Sequence, residues 1–295
     1  MPTILTLILI ALSLFGLSFH RTQDAPPAAA PAPITIVTYN IRYGTADDGD
    51  NVWPIRRDLC IDTLRSLDAD VIGLQEALAF QIDEILAAMP GYAAIGVGRD
   101  DGKAGGEHAS ILVRTSRFSI ERALTMWLSD YSSMPGSRSW GNDIPRICTL
   151  TRLVDRTTAK PIWIYNTHLD HRSQPSRDLG MDLIARTALD RRPFFAAEPI
   201  VIMGDFNAGE SNSAVAVIKD PAGLGLIDSF RIRHPEATEV GTFNAFKDER
   251  TGEKIDHIFV SPAVAVLDAG IDRTRGPQGQ CPSDHDPVWA KIVLP

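Results

Sequence analysis

Residues 199–207 read P-I-V-I-M-G-D-F-N. The four apolar residues 200–203 predict a buried strand, and Gly204 breaks the run. Asp205 and Asn207 follow at the strand's carboxyl end, two positions apart, so in extended chain both can face one side. An acceptor-only carboxylate beside a neutral amide suits a hard divalent cation and a phosphate oxygen. Gly, Asp and Asn also favour plain turns, so what the other strands deliver decides the reading.

Upstream, residues 161–167 (P-I-W-I-Y-N-T) form a second strand run ending in H-L-D-H, with His168 and Asp170 on one face if the chain stays extended. Residues 34–42 (I-T-I-V-T-Y-N-I-R) carry Asn40 near the end of a β-branched strand, and residues 70–75 (D-V-I-G-L-Q) run into Glu76. Downstream, residues 254–260 (K-I-D-H-I-F-V) hold Asp256 inside an apolar strand, a costly place for a carboxylate without a partner. Asp284 and His285 stand in P-S-D-H-D-P-V, just before a last strand at 288–294. Separate strands thus end in, or carry, Asn, Glu, His and Asp. Open sheets present such ends along one rim, where sites form.

Helices are predicted at 53–67, opened by Pro54, at 81–89, at 176–192 with a basic outer face, and at 213–219. Further strands are predicted within 92–113 and at 118–128, 146–154 and 264–270, and a short element at 242–246. The loop G-R-D-D-G-K-A-G-G-E (98–107) lacks the Gly-Lys-Ser/Thr ending of a P-loop. A solvated hairpin is its plainer reading, with Arg99 and Glu107 the residues through which it could touch substrate. The polar loop 129–145 is long enough to suggest function; Arg138 and Trp140 lie in it and Arg146 follows it. Roughly ten or more strand runs mixed with about four helices predict one α/β domain over residues 34–295, and no repeat of fixed period is visible.

Lys and Arg number 29 against 37 Asp and Glu, a net charge of −8. That argues against a protein that coats nucleic acid, and against a duplex endonuclease, while leaving room for a small phosphate at a metal-bearing site. The three cysteines form no C-x-x-C pair, so a zinc or thioredoxin-like motif is unsupported. Cys60 and Cys148 read as small core residues, and Cys281, in a Gly/Pro-rich loop, as exposed. Residues 3–19 are almost continuously apolar, without a preceding Lys or Arg and without a following Cys; Q-D-A-P-P-A-A-A-P-A-P (23–33) is an extended linker. Residues 1–33 are therefore expected to be a signal peptide or single membrane anchor plus linker. The folded part is then periplasmic, secreted or held at the outer face of the inner membrane.

In order, T-Y-N-I-R, L-Q-E, N-T-H-L-D, G-D-F-N, K-I-D-H-I-F-V and S-D-H-D-P-V resemble the endonuclease/exonuclease/phosphatase superfamily, the deoxyribonuclease-I-like fold. The loop 98–107 and D-I-P-R-I-C-T resemble a branch of bacterial secreted or envelope members. The resemblance implies a four-layer α/β/β/α sandwich, two mixed sheets flanked by helices, and Mg²⁺- or Mn²⁺-dependent cleavage of phosphate esters. By the same resemblance Glu76 is the principal metal ligand, with Asn40 beside it and Asp284 as the acid near the metal. Asp205 and Asn207 orient water and bind the scissile phosphate, His168 binds phosphate, and His285 is the catalytic histidine oriented by Asp256. The base is the Asp205 or the His285 equivalent.

The chemistry agrees from below. Attack on an anionic phosphoester needs a cation held by hard oxygens, a carboxylate-oriented imidazole and donors on the phosphoryl oxygens. The expected function is a phosphodiesterase before a monoesterase. The alternatives are a nuclease on extracellular DNA or RNA, or a phospholipase-C-like enzyme using the aromatics Trp127, Tyr131 and Trp140. A non-catalytic envelope binding protein would lack some of Glu76, His168, Asp205, Asn207 and His285, and all are present. Arg99, Arg146 and Lys254 are the expected substrate contacts. A monomer is expected, with contact to a membrane through the amino-terminal segment.

Overall fold

In a computed structural model of the chain, residues 32–191, 195, 198–247 and 250–295 are described. The apolar segment 3–19 and most of the linker lie outside the described residues. The chain runs β1 (Ile34–Asn40), α1 (Trp53–Ser66), β2 (Val71–Gln75), α2 (Ala79–Ala88), β3 (Tyr92–Ile95), β4 (Ile111–Arg114), β5 (Phe118–Trp127), β6 (Ile147–Asp155) and β7 (Pro161–His168). It continues α3 (Gln174–Asp190), β8 (Ile200–Asp205), α4 (Ser213–Lys219), β9 (Ile227–Asp228), α5 (Ser229–Arg233), β10 (Asp256–Val260), β11 (Ala265–Ile271) and β12 (Val288–Val293). The expected elements are present within a few residues, except that 242–246 is a turn with one isolated bridge, Phe243 to His285. β9 and α5 were not expected; their few residues are too short to show a period.

Two six-stranded sheets form, in the orders β11-β12-β1-β2-β4-β3 and β5-β6-β7-β8-β10-β9. Each contains one parallel pair, β1 with β2 and β7 with β8, flanked by antiparallel neighbours. Each parallel pair is joined through a helix, α1 or α3, as parallel strands require. The sheets therefore repeat a topology that no sequence period betrays.

The sheets pack face to face through Ile36, Val71, Ile111, Ile164, Val201, Met203 and Ile258, among others. The outer face of the first sheet is covered by α1 and α2 through Cys60, Leu64, Ile82 and Ile85. The outer face of the second is covered by α3 and α4 through Met181, Ile184, Val215 and Ile218. This is the four-layer α/β/β/α arrangement, and it explains why β8 is buried along its whole length: both its faces are covered.

Near the strands' carboxyl ends the apolar interface gives way to a polar seam. Asn166 of β7 donates from Nδ2 to the carbonyls of Leu74 and Ser110, both at 2.9 Å, and accepts from Gln75 Nε2 at 2.6 Å. Gln75 also donates to Thr38 Oγ1. One amide thus ties the second sheet to the first directly beneath the rim. Gly73 makes room for it: a Cβ there would stand 2.7 Å from Asn166 Oδ1.

Cys60 and Cys148 are core residues as expected. Cys281 is not exposed: it is 3% accessible, with its thiol facing the Lys247 carbonyl. None of the three is disulfide-bonded. Among the described residues no helix is long and apolar enough to cross a membrane.

Candidate active site

Strand direction brings the polar ends together. In the parallel registers Asn40 pairs with Gln75 and His168 with Asp205, so both pairs finish at one rim. The antiparallel strand β10 begins there, placing Asp256 opposite Asp205. A cleft of about 520 Å³ opens over this rim, lined by Arg42, Glu76, Arg99, Arg146, His168, Asp205, Asn207, Asp284 and His285, with Phe243 and Phe246 on one wall.

Asn40 is fully buried, and its Nδ2 donates to Glu76 Oε1 at 3.1 Å and Asp205 Oδ2 at 3.0 Å. Its Oδ1 accepts from the Arg42 amide. Glu76 follows β2 in a left-handed conformation, φ 59°, and its other oxygen accepts from the Tyr43 amide. Asp284 has the Ser283 hydroxyl on one oxygen, and Arg42 lies 3.8 Å from the other.

Asp256 and His285 are both buried, with Nδ1 2.8 Å from Oδ2. The carboxylate only accepts, so Nδ1 carries the proton of that bond. Nε2 points towards Asp205 Oδ2, 3.7 Å away, and His168 Nε2 approaches the same oxygen at 3.5 Å. Burial alone would lower the His285 pKa, but the charges of Asp256 and Asp205 outweigh it and hold the imidazole well above its ordinary value. Burial and then the Asp256 charge push Asp205 up to about 7. His168 goes the other way: burial, then Arg146 and Arg99, hold it well below the usual range, so it is neutral.

Asn207 reaches the cleft by a different route from the strand alternation expected. The strand stops at Asp205, and Asn207 turns left-handed, φ 46°. Its amide N–H donates to Asp205 Oδ1 at 2.8 Å, and its Nδ2 donates to the Leu169 carbonyl at 3.0 Å. The second N–H of that side chain remains for another acceptor.

Of the expected substrate contacts, Arg99 and Arg146 line the cleft. Arg99 makes a two-pronged pair with Glu107 at 2.6 and 2.7 Å, so the loop 98–107 does more than the solvated hairpin expected of it. Arg146 is 3% accessible; it reaches Asp170 at 3.4 Å and His171 at 2.9 Å, and its Nη1 has no partner. Lys254 is a correction. It is 1% accessible and does not line the cleft; its ammonium is held by Asp228, His257 and Glu210. Arg42 and His171 are among the cleft residues that were missed. Arg42 sits inside the quoted T-Y-N-I-R and pairs with Asp48 on both prongs. His171, the last residue of H-L-D-H, accepts from Arg146.

A metal fits this donor set. Glu76, Asp205 and Asp284 gather with the Asn40 amide, and burial raises the pKa of Asp284 as well as of Asp205, the mark of carboxylates short of a counter-charge. Asp205, Asp256 and His285 also offer ligand atoms within 4.8 Å of one another. In that second cluster His285 Nδ1 and Asp256 Oδ2 are already engaged with each other at 2.8 Å. Glu76 and Asp284 present carboxylates to the open cleft, with Asn40 buried against Glu76, so this set is the better holder of a hard cation.

The family model described as endonuclease/exonuclease/phosphatase matches residues 37–285. The chain belongs to that family. An endonuclease/exonuclease/phosphatase from Bacteroides vulgatus is 31% identical and superposes with a TM-score of 0.82 over 90% of this chain and 100% of its own. A Bacteroides thetaiotaomicron mannosyl-6-phosphatase is 30% identical, with a TM-score of 0.76 over 88% of this chain and 100% of its own. An uncharacterized protein, L388, of Acanthamoeba polyphaga mimivirus is 25% identical over 171 residues, 54% of this chain. The chain spans about 60% of that curated relative's length. The family includes phosphatases and nucleases and generally depends on a divalent metal.

Proposed function

We propose that the protein hydrolyses small phosphate esters with a bound divalent cation, Mg²⁺ or Mn²⁺, and works outside the cytoplasm. The observation that carries the chemistry is the Asp256–His285 pair, 2.8 Å apart, aimed at Asp205 beside the Asn40–Glu76 oxygens. Glu76, Asn40 and Asp284 would hold the cation, which supplies positive charge to the phosphoryl oxygens and lowers the pKa of water.

The chain's own residues do the rest. His285, oriented through Nδ1, exchanges a proton at Nε2, next to Asp205. Neutral His168 and the second N–H of Asn207 donate to phosphoryl oxygens. Arg146 lines the same cleft and adds positive charge there.

Arg146, with Arg99 also on the cleft, is why a phosphomonoester is favoured over the diester expected from sequence. A monoester dianion carries one more charge than a diester and gains more from a cation beyond the metal. The likeness to a mannosyl-6-phosphatase supports the same reading, with a sugar or other polyol phosphate as the substrate class. Export rests on the amino-terminal apolar segment alone. The test is a hydrolysis panel of p-nitrophenyl phosphate, hexose 6-phosphates, bis-p-nitrophenyl phosphate, DNA, RNA and phospholipid with Mg²⁺, Mn²⁺ or chelator. Fastest turnover of the monoesters, abolished by chelator, is expected. Cation-independent turnover, or none, would overturn the reading.

A further inference from the structure

Lys254 and His257 flank Asp256 in K-I-D-H-I-F-V, and neither touches the cleft. Both are essentially inaccessible. The Lys254 ammonium lies 2.8 Å from Asp228 Oδ2, 2.6 Å from His257 Nδ1 and 3.4 Å from Glu210 Oε1. An ammonium has donors only, so His257 Nδ1 must accept. The ring proton then sits on Nε2, which donates to the Ala208 carbonyl at 2.9 Å. The same ring stacks on Phe206, centroids 5.0 Å apart and planes 26° from parallel. His257 therefore grips the residue on each side of Asn207, one by its π-face and one by its N–H.

The grip is anchored from outside the loop. Asp228 caps α5 through the amides of Phe230 and Arg231, and Arg231 clasps Glu210, three residues beyond Asn207. Adjacent residues of a strand point to opposite faces. β10 thus sends Asp256 to His285 on one side and His257 to the Asn207 turn on the other.

We propose that Lys254 and His257 are positioning residues: Lys254 fixes the ring form of His257, and His257 holds the left-handed turn that aims Asn207 at the phosphate. Lys254, expected to bind substrate, acts on it only through His257 and the Asn207 turn. The inference rests on the phosphoesterase reading for Asn207's role, but the clamp itself can be read without turnover.

The test uses the full chain. His257→Phe keeps a ring against Phe206 and removes both nitrogens; His257→Gln restores an N–H near the place of Nε2; Lys254→Met removes only the ammonium and serves if His257→Phe does not fold. On p-nitrophenyl phosphate, His257→Phe should lower kcat and kcat/KM together by roughly 10–100-fold, with KM within about threefold. His257→Gln should recover most of the loss. Asn207→Gly tolerates the left-handed backbone. In that background His257→Phe should cost less than about threefold more, because it acts through Asn207. Additive losses, or full activity in His257→Phe and Lys254→Met, overturn the proposal. Amide hydrogen exchange across residues 205–210, without substrate, should quicken in His257→Phe and return in His257→Gln. Unchanged exchange overturns the clamp even if the enzyme is active. Quickened exchange in a protein without turnover supports the clamp and sinks the phosphoesterase reading.

Discussion

Asn166→Asp is a nearly isosteric change with a calculable consequence. The native amide gives two N–H bonds to the Leu74 and Ser110 carbonyls and takes one from Gln75, with no solvent access. A carboxylate there would face two carbonyl oxygens it cannot donate to, so its folded pKa must rise. In the unfolded chain it titrates near 3.9.

Below about pH 4 both states carry the proton, and the ionisation penalty is absent. Above it the unfolded state ionises while the folded state does not. Stability relative to the native protein then falls by about 1.4 kcal/mol per pH unit until the folded pKa is reached. Buried carboxyls shift by about 3–5 units, so between pH 4 and 7 the loss should approach 4 kcal/mol, a large share of the roughly 5–15 kcal/mol that holds a domain folded.

Urea denaturation of both proteins at pH 4.5, 5.5, 6.5 and 7.5 reads the difference directly. Asn166→Leu, which cannot titrate, should cost a constant amount over the same range. A difference for Asn166→Asp that is flat with pH would refute the seam as the site of an unmet carboxylate.

Other consequences follow from the same geometry. Asp256→Asn should lower kcat by on the order of 100- to 10,000-fold through loss of the oriented His285 tautomer, measured as kcat on the best substrate with the fold checked by circular dichroism. Glu76→Gln should weaken Mn²⁺ binding by roughly 10–100-fold, the worth of one charge-assisted contact, read by titration calorimetry without substrate. Asp228→Asn should cost about 1.5–3 kcal/mol at neutral pH by leaving Glu210 as the one carboxylate on Lys254. Burial raises the Asp228 pKa, but the Lys254 ammonium outweighs it and depresses it. Its contribution is therefore present above the unfolded value near 3.9 and is lost as pH falls from there through the folded value. The gap between native and variant should narrow only below about pH 4 in denaturation curves.

The strand ends were legible because period and chemistry coincide: an apolar run closing on Glu76, His168 or Asp205 is a local pattern. So was the need of Asp256 for a partner, since a carboxylate between Ile255 and His257 demands one, while its identity as His285 came from the family resemblance. What failed was long-range. Lys254 reads as a free cation because Glu210 and Asp228, which neutralise it, are distant in sequence. Arg99 and Glu107 were visible, but not that they clasp each other at the cleft. Cys281 lies in a loop with every mark of exposure, and the fold covers it. Asn166 sits inside an apolar strand run as conspicuously as Asp256, yet its partners belong to the other sheet. Strand order is also set by tertiary pairing, so the repeated topology has no signature in composition.

That repetition has a consequence for how the cleft came to have its chemistry. Neighbours running in opposite directions deposit their last residues at opposite poles of the molecule. Only the two helical detours, α1 and α3, turn the chain around so that consecutive strands finish at the same pole. Four of the polar groups owe their meeting to travel direction before they owe it to identity. Their side chains could be exchanged for others without moving the meeting place, which makes this rim a socket that successive chemistries can occupy while the scaffold beneath stays the same.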